Sequence, residues 1–149
     1  MAVTLRRATY ADVPAVLALW SRAAENDARP PDRADLVGAL LDRDPGALVV
    51  AVHADPGTDE VVGTIVAGWD GWRAHLYRLA VDPRHRGHGV GRRLLVAAEE
   101  RLVALGATRL DAMVLDDNAL GAALWRSAGY QRQDRWGRWV KPVVDPPAR

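Results

Sequence analysis

The chain has 149 residues, a length typical of one domain and short for two. Its hydrophobic fraction of 49% is typical of globular proteins, and a formal net charge of +1 argues against nucleic acid or a membrane surface as partner. The sequence contains no cysteine, which excludes disulfide scaffolds, thiolate nucleophiles and cysteine-ligated metal sites. It also lacks a long apolar run, so we expect a soluble cytoplasmic protein that binds no membrane.

The first third of the chain predicts one strand and two helices. Residues 3–7 form a short β-rich segment. Thr9 and Asp12 have the spacing of a capping box, and apolar residues follow at helical intervals. That apolar stripe consists of Val13, Val16, Leu17 and Trp20. Asp32 is predicted to cap a second helix, which Pro45-Gly46 ends.

The middle of the chain predicts three strands joined by tight turns. Residues 47–52 are rich in β-branched side chains, and Asp55-Pro56-Gly57 is a typical turn sequence. Residues 61–69 predict the next strand. Asp70-Gly71 then favours a hairpin that leads into a strand over residues 75–81. These strands are therefore expected to be antiparallel.

After residue 81 the pattern changes to alternating helices and strands. Apolar residues over 90–105 have helical spacing, and Gly106 ends that helix. Residues 110–115 predict a strand, and residues 118–128 a helix capped by Asn118. Residues 130–140 can hold two further short strands.

The order β-α-α-β-β-β-α-β-α-β-β predicts an α+β fold of a single domain. A mostly antiparallel central sheet would be flanked by helices on its faces. We expect this domain to cover residues 1–141, followed by a proline-rich tail over residues 142–149.

The glycine-rich stretch from Arg86 to Arg93 lies between a predicted strand and a long helix. Backbone N–H groups at a helix N-terminus lack partners, and the helix dipole adds partial positive charge. Glycines at 87, 89 and 91 would let an anion approach those amides, and Arg86 and Arg92 add fixed charge. The stretch matches neither a Walker loop nor a good dinucleotide fingerprint. It predicts a pyrophosphate-binding loop.

Residues 81–91 resemble the acetyl-CoA signature of the GCN5-related N-acetyltransferase (GNAT) family, whose core is Gln/Arg-x-x-Gly-x-Gly/Ala. Here Arg86, Gly89 and Gly91 occupy that core. A second family element is present from Asn118 to Gly129-Tyr130. The predicted element order matches the family from Val3 to about Val140.

The resemblance implies a V-shaped splay between the strands that end at Val81 and Leu115. The pantetheine arm of acetyl-CoA would lie there, hydrogen-bonded to the backbone of Leu79 and Val81, and the glycine-rich loop would hold the pyrophosphate. The backbone amide of Val81 would polarise the thioester carbonyl, a catalytic role. The candidate cofactor-binding residues are Leu79, Ala80, Val81, Arg86, Gly87, His88, Gly89, Val90, Gly91, Arg92, Asn118 and Trp125. Acetyl-CoA would be a cosubstrate, and we expect no metal.

Two positions depart from the family pattern. Many members have a general-acid tyrosine where this chain has Trp125, and some have a catalytic glutamate where it has Met113. Tyr77 is a candidate proton carrier, because alternation puts it on one face with Leu79 and Val81 unless a bulge intervenes; the alternative is a half-buried strand aromatic. His75 lies on the same face by this alternation, but nearer the hairpin end, where a solvated histidine is expected.

Histidines and tryptophans near these motifs have simpler interpretations. His85 and His88 are expected to be solvent-exposed loop residues, with contact to a bound anion as the alternative. Trp20 is expected in the core. Trp136 and Trp139 lie in the last predicted hairpin, where they could line an acceptor pocket or support a dimer. The sequence does not identify the acceptor.

These observations predict an N-acetyltransferase that moves an acetyl group from acetyl-CoA to a primary amine by direct attack in a ternary complex. The acceptor would be a small molecule or a peptide or protein N-terminus, and the protein a monomer or homodimer that binds no nucleic acid. The alternative is an acyl-CoA-binding regulatory module with little or no turnover.

Overall fold

One five-stranded sheet organises the molecule, which is described by a computed structural model over residues 2–24 and 29–143. The strands lie in chain order across the sheet. They are β1 (Val3–Arg7), β2 (Leu48–Asp55), β3 (Thr58–Trp69), β4 (Ala74–Val81) and β5 (Leu110–Ala112). The first four pair antiparallel, and β5 pairs parallel to β4. The predicted α+β class and mostly antiparallel sheet are therefore confirmed.

Four α-helices within the described ranges pack on the sheet: α1 (Val13–Ala23), α2 (Ala34–Arg43), α3 (Val90–Leu105) and α4 (Ala119–Ser127). The predicted capping box precedes α1, where Asp12 accepts the Thr9 amide at 2.7 Å and also binds Arg6. In the same parts of the chain no helix has the length and apolarity that a bilayer crossing requires.

Each face of the sheet has its own apolar cluster. On one face α1 and α2 cover β2 residues such as Val50 and Val52, and on the other α3 covers Val49 and Ala51. This is the period-two alternation expected of a strand buried on both sides. Trp20 is 4% exposed in the first cluster, which confirms it as a core residue.

A bulge interrupts β4 in its middle. Thr64 pairs with Ala80 and Val66 pairs with Tyr77, so two residues of β4 stand opposite one residue of β3. One of the two, Arg78, has a φ of 53°, in the left-handed region that non-glycine residues seldom adopt. The Thr64 hydroxyl donates to the Arg78 carbonyl at 2.9 Å and accepts the indole N–H of Trp20 at 2.8 Å. A buried side-chain relay therefore holds the bulge.

Beyond the bulge, no strand formed by the described residues pairs with the outer side of β4. β5 pairs only with Ala74 to Leu76, at the start of β4. The predicted splay is therefore present, although the strand expected to reach Leu115 ends at Ala112. Residues 77–81 are left with an open backbone edge.

Two other sequence expectations are wrong. The N-cap of α2 is Arg33, not Asp32, because the Asp32 carboxylate pairs with the guanidinium of Arg78. Burying that cation, whose side chain is 7% exposed, requires a counter-charge, and this outweighs helix capping. Residues 130–140 form no strand. Trp136 and Trp139 in that segment are 79% and 95% exposed, so no apolar face holds them against the sheet.

The division at residue 141 stays a prediction. Residues 142 and 143 have no regular structure, and residues 144–149 of the predicted tail lie outside the described ranges.

We expect Thr64→Val to lower the free energy of unfolding by about 1–3 kcal/mol, because it removes the acceptor of the Trp20 indole and the donor to the bulge carbonyl without changing volume. Urea denaturation measures this loss. Thr4→Val on exposed β1 is the matched control and should change stability little. Equal effects of the two substitutions would contradict a stabilising role for the relay.

Candidate functional site

A cleft of about 850 Å³ opens where β4 and β5 diverge. Its walls are the C-terminal half of β4, the glycine-rich loop with the first turn of α3, and one side of α4 along its length. Every predicted cofactor-binding residue except His88 lines it, as does Tyr77. The structure thus brings together residues that lie up to 48 positions apart, from Tyr77 to Trp125.

The open edge of β4 presents two residues to the cleft. The Asp82 amide donates to the Val62 carbonyl of β3 at 2.8 Å, and Ala80 pairs with Thr64. Because backbone groups alternate in direction along a strand, Leu79 and Val81 direct theirs away from β3. The Val81 carbonyl accepts the Arg86 Nε at 3.2 Å on that side.

The glycine-rich loop ends in free amides at the start of α3. The first helical bond runs from the Arg93 amide to the Gly89 carbonyl at 3.0 Å, so the three preceding amides have no helical acceptor. Gly87 and Gly89 have φ values of 81° and 78°, which side chains rarely tolerate. Their missing side chains leave open space above those amides. This geometry suits a phosphate-type anion.

Gly91 has a second role that the sequence does not reveal. A Cβ at this position would meet Leu124 of α4 at 3.2 Å and Val81 at 3.6 Å. Gly91 therefore permits close packing of α3, α4 and β4, in addition to keeping the loop unobstructed.

Asp82 joins the end of β4 to α1 and to the short 3-10 helix (Pro83–His85) that precedes the glycine-rich loop. It is 1% exposed, accepts the Arg84 amide at 3.0 Å and accepts Arg22 of α1 at 2.9 Å. Hydrogen bonds from the Arg84 side chain, with further help from the Arg84 amide and Arg22, hold the pKa of the Asp82 carboxyl well below its usual value. Sequence reasoning did not single out Asp82 as a site residue.

The bulge changes where Tyr77 points. Tyr77 pairs with Val66, which belongs to the cluster under α1 and α2, whereas Leu79 and Val81 pack against the cluster under α3. The expectation of a shared face is therefore wrong. Burial, and secondarily the charge of Asp44, raise the pKa of the Tyr77 phenol above its usual value. The phenol stays protonated at neutral pH.

Asn118 and Trp125 position α4 along the cleft. The Asn118 side chain accepts the Gly121 amide at 2.9 Å, which confirms the predicted cap. Trp125 is 8% exposed and contacts Tyr130 edge-to-face with centroids 4.9 Å apart. The indole of Trp125 is thus part of the apolar core as well as the cleft wall. Met113, the other residue that departs from the expected family pattern, is 56% exposed.

The other end of the cleft carries positive charge. Arg29 and Arg78 both line it, and Arg78 lies over the Trp20 ring at 5.0 Å while pairing with Asp32. Sequence reasoning missed this group, because it depends on the bulge that turns Arg78 inward.

The expected solvent exposure is wrong for His85 and confirmed for His88. His88 is exposed, but His85 is only 7% exposed. A short 3-10 helix (Pro83–His85) turns the His85 ring against that of His53, with centroids 5.4 Å apart.

Comparison with known proteins identifies relatives of this chain. The model of the acetyltransferase (GNAT) family matches residues 13–130. An acetyltransferase of Sodalis glossinidius is 33% identical over 124 residues, 83% of each chain. A ribosomal-protein-alanine N-acetyltransferase from Brucella melitensis is 31% identical with a TM-score of 0.66, over 85% of this chain and 83% of that one. The yncA protein of Salmonella typhimurium, solved with acetyl-CoA, shares the fold at 24% identity and a TM-score of 0.68, over 87% and 79%.

Asp82→Asn should lower stability at pH 7 by about 1–3 kcal/mol, since buried hydrogen bonds to a charged acceptor are lost. The native pKa of Asp82 lies below its unfolded value near 3.9, so its stabilisation is complete above that pH and disappears as the pH falls. The difference between the wild type and the variant in urea midpoint should therefore shrink below about pH 4. Asp134→Asn breaks an exposed pair with Arg132 and should change little at any pH. A gap independent of pH would argue against this ionised role.

Proposed function

The chain belongs to the acetyltransferase (GNAT) family, and from that premise we propose that it transfers an acetyl group from acetyl-CoA to a primary amine. The acceptor is a small molecule or a peptide or protein N-terminus. The observation that carries the proposal is one cleft that joins an open strand edge to a helix N-terminus with free amides.

The cleft chemistry matches two parts of coenzyme A, the pantetheine arm and the diphosphate. The pantetheine arm contains amides, which can pair with the backbone of Leu79 and Val81 as a neighbouring strand would. The diphosphate is an anion that the amides of Val90, Gly91 and Arg92 can bind, with Arg86 and Arg92 nearby. Arg86 is already oriented by its bond to the Val81 carbonyl.

The Val81 amide is the proposed electrophilic group. Because it points to the open edge, it can donate to a thioester carbonyl laid along that edge and stabilise the oxyanion. The amine nitrogen attacks the carbonyl carbon, the carbon–sulfur bond breaks, and the thiolate leaves with the bonding electron pair. The proton lost from nitrogen passes to water. No acyl-cysteine intermediate forms, since the chain has no cysteine.

Free energies favour an acceptor of low pKa. At pH 7 a thiol of pKa near 8.5 leaves as thiolate at a cost of about 2 kcal/mol, which needs little acid catalysis. Freeing a lysine amine of its proton costs about 4.6 kcal/mol, against about 1.4 kcal/mol for an α-amino group. We therefore favour α-amines over lysine side chains as acceptors. The similar protein from Brucella melitensis is named as an N-acetyltransferase acting on alanine of a ribosomal protein.

Tyr77 is retained as the candidate proton carrier of this proposal. It lines the cleft, and its raised pKa keeps it in the protonated form. In that form it is suited to donate a proton to the departing thiolate rather than to accept one from the amine.

The second candidate function is a regulatory module that binds acyl-CoA without turnover. It is favoured by Trp125 and Met113, which replace proton-transfer residues found in family members. Steady-state release of free CoA with a panel of amines separates the two. Binding of CoA with no release across the panel would favour the regulatory module.

Gly89→Glu should abolish measurable coenzyme A binding in calorimetry, because its carboxylate would occupy the space above the free amides and repel the diphosphate. Gly71→Glu is a closely matched control. Gly71 also has positive φ, 97° against 78°, and also faces open space, but it lies in the β3–β4 turn outside the cleft. This control should bind coenzyme A like the wild type. Undiminished binding by Gly89→Glu would refute the donor site.

The kcat/KM of acetylation should rise smoothly with pH and show no bell through the neutral range, because the amine supplies the titrating group and Tyr77 stays protonated. At pH 7 the neutral fraction of an α-amine is about 250 times that of a lysine side chain. Peptides with a free N-terminus should accordingly outperform N-terminally blocked peptides that contain lysine. A clear preference for the lysine peptides would contradict the proposed acceptor class.

A further inference from the structure

Three side chains with metal-binding groups meet at the edge of the sheet outside the reaction centre. His53, Glu60 and His85 each offer one ligand atom, and these atoms all lie within 4.8 Å of one another. His53 and Glu60 are directly paired across the β2–β3 hairpin. His85 reaches them from the 3-10 helix before the glycine-rich loop.

His85 has an unsatisfied polar atom in this cluster. The residue is 7% exposed, and its Nδ1 has no hydrogen-bond partner among the described residues. A buried ring nitrogen without a partner is costly, so this position favours a ligand that can bind it. The neighbouring His53 ring, with a side chain 15% exposed, is packed against it rather than hydrogen-bonded to it.

We propose that His53, Glu60 and His85 bind one divalent transition-metal ion, with Zn²⁺ as the best chemical match. Two imidazole nitrogens and one carboxylate oxygen are ligands that Zn²⁺ accepts at about 2.0–2.2 Å, with a fourth position left for water. Ligand atoms around such an ion stand roughly 3.4 Å apart, given those bond lengths and tetrahedral angles. Small side-chain rotations would bring the three ligand atoms from their present separations, all within 4.8 Å, to this distance. The half-exposed Glu60 side chain has room for such a rotation.

The surrounding charges are compatible with an ion. Arg84 donates to Oε1 of Glu60 at 2.5 Å, which leaves the second carboxylate oxygen for a metal. The Arg84 side chain is 68% exposed and also donates to Asp82, so it can release Glu60 to an incoming cation while it keeps its bonds to Asp82. Asp55 lies 3.7 Å from Nδ1 of His53, close to the position in which a carboxylate orients a metal-binding imidazole.

This ion would connect the β2–β3 hairpin to the start of the glycine-rich loop. His85 is followed directly by Arg86, whose side chain binds the Val81 carbonyl. An ion at the cluster would therefore fix the first residue of the loop without contacting the reacting groups. Its role is structural, and it is independent of whether the chain acetylates an amine.

Titration of the tag-free, chelator-dialysed full chain with ZnCl₂, followed by calorimetry and thermal unfolding, tests the proposal without any acyl donor. We expect one ion per chain and a higher Tm with zinc. His53→Gln should weaken binding roughly tenfold or more, as loss of a ligand should cost at least what loss of its hydrogen-bonded support costs. His75→Gln is the matched control, because His75 is exposed on β4 outside both the cluster and the cleft, and it should bind like the wild type.

Co²⁺ adds a spectroscopic readout, since a four-coordinate site gives intense visible d–d bands that an ion held loosely at the surface does not. These bands should appear with the wild type and His75→Gln and be lost in His53→Gln. Should His53→Gln fail to fold, Glu60→Gln replaces it with the same expectation. Absence of heat and of a Tm shift in the wild type would overturn the proposal, as would equal zinc affinity in His53→Gln and His75→Gln. Retained coenzyme A binding in a zinc-free chain would leave the proposed function standing in either case.

Discussion

The unpaired edge of β4 determines most of what this molecule can do. Buried backbone N–H and C=O groups need partners, and in an ordinary sheet the next strand supplies them. Here β5 pairs with only three residues of β4, and the edge beyond the bulge at Arg78 borders the cleft. The Thr64–Trp20 relay fixes that bulge from the core. A ligand with peptide-like groups can complete the sheet at this edge.

A second set of backbone groups without helical partners, the first amides of α3, lies in the same cleft as that edge. The first amides of α3 face the cleft because Gly89 allows the chain to enter the helix through a left-handed residue. Between these two elements, Asp82 bonds to Arg84 of the 3-10 helix and to Arg22 of α1, and so anchors the segment that leads from β4 to the loop. The strand edge and the helix terminus are thus separate features of the chain that line one cleft. An elongated molecule with amides along its length and a diphosphate at one end fits both.

Sequence signals predicted the elements well where a few neighbouring residues determine the local backbone conformation. Turn dipeptides such as Asp70-Gly71, the Asn118 cap and the helical spacing over 90–105 all correspond to observed features. The errors arose from long-range contacts. Asp32 pairs with Arg78, which lies 46 residues later in the chain. The sheet face on which Tyr77 lies is determined by a bulge that no local pattern indicates. The burial of His85 depends on a hairpin more than twenty residues earlier in the chain. Such contacts are properties of the assembled sheet rather than of any segment.

The open strand edge also has a consequence for the chain in solution. Exposed main-chain donors and acceptors in extended conformation are a template on which another molecule's strand can add, which is how many proteins begin to aggregate. A guest that occupies this edge competes with such self-association. Self-association should therefore depend on whether the edge is occupied, and the form with an empty edge is the one more prone to it.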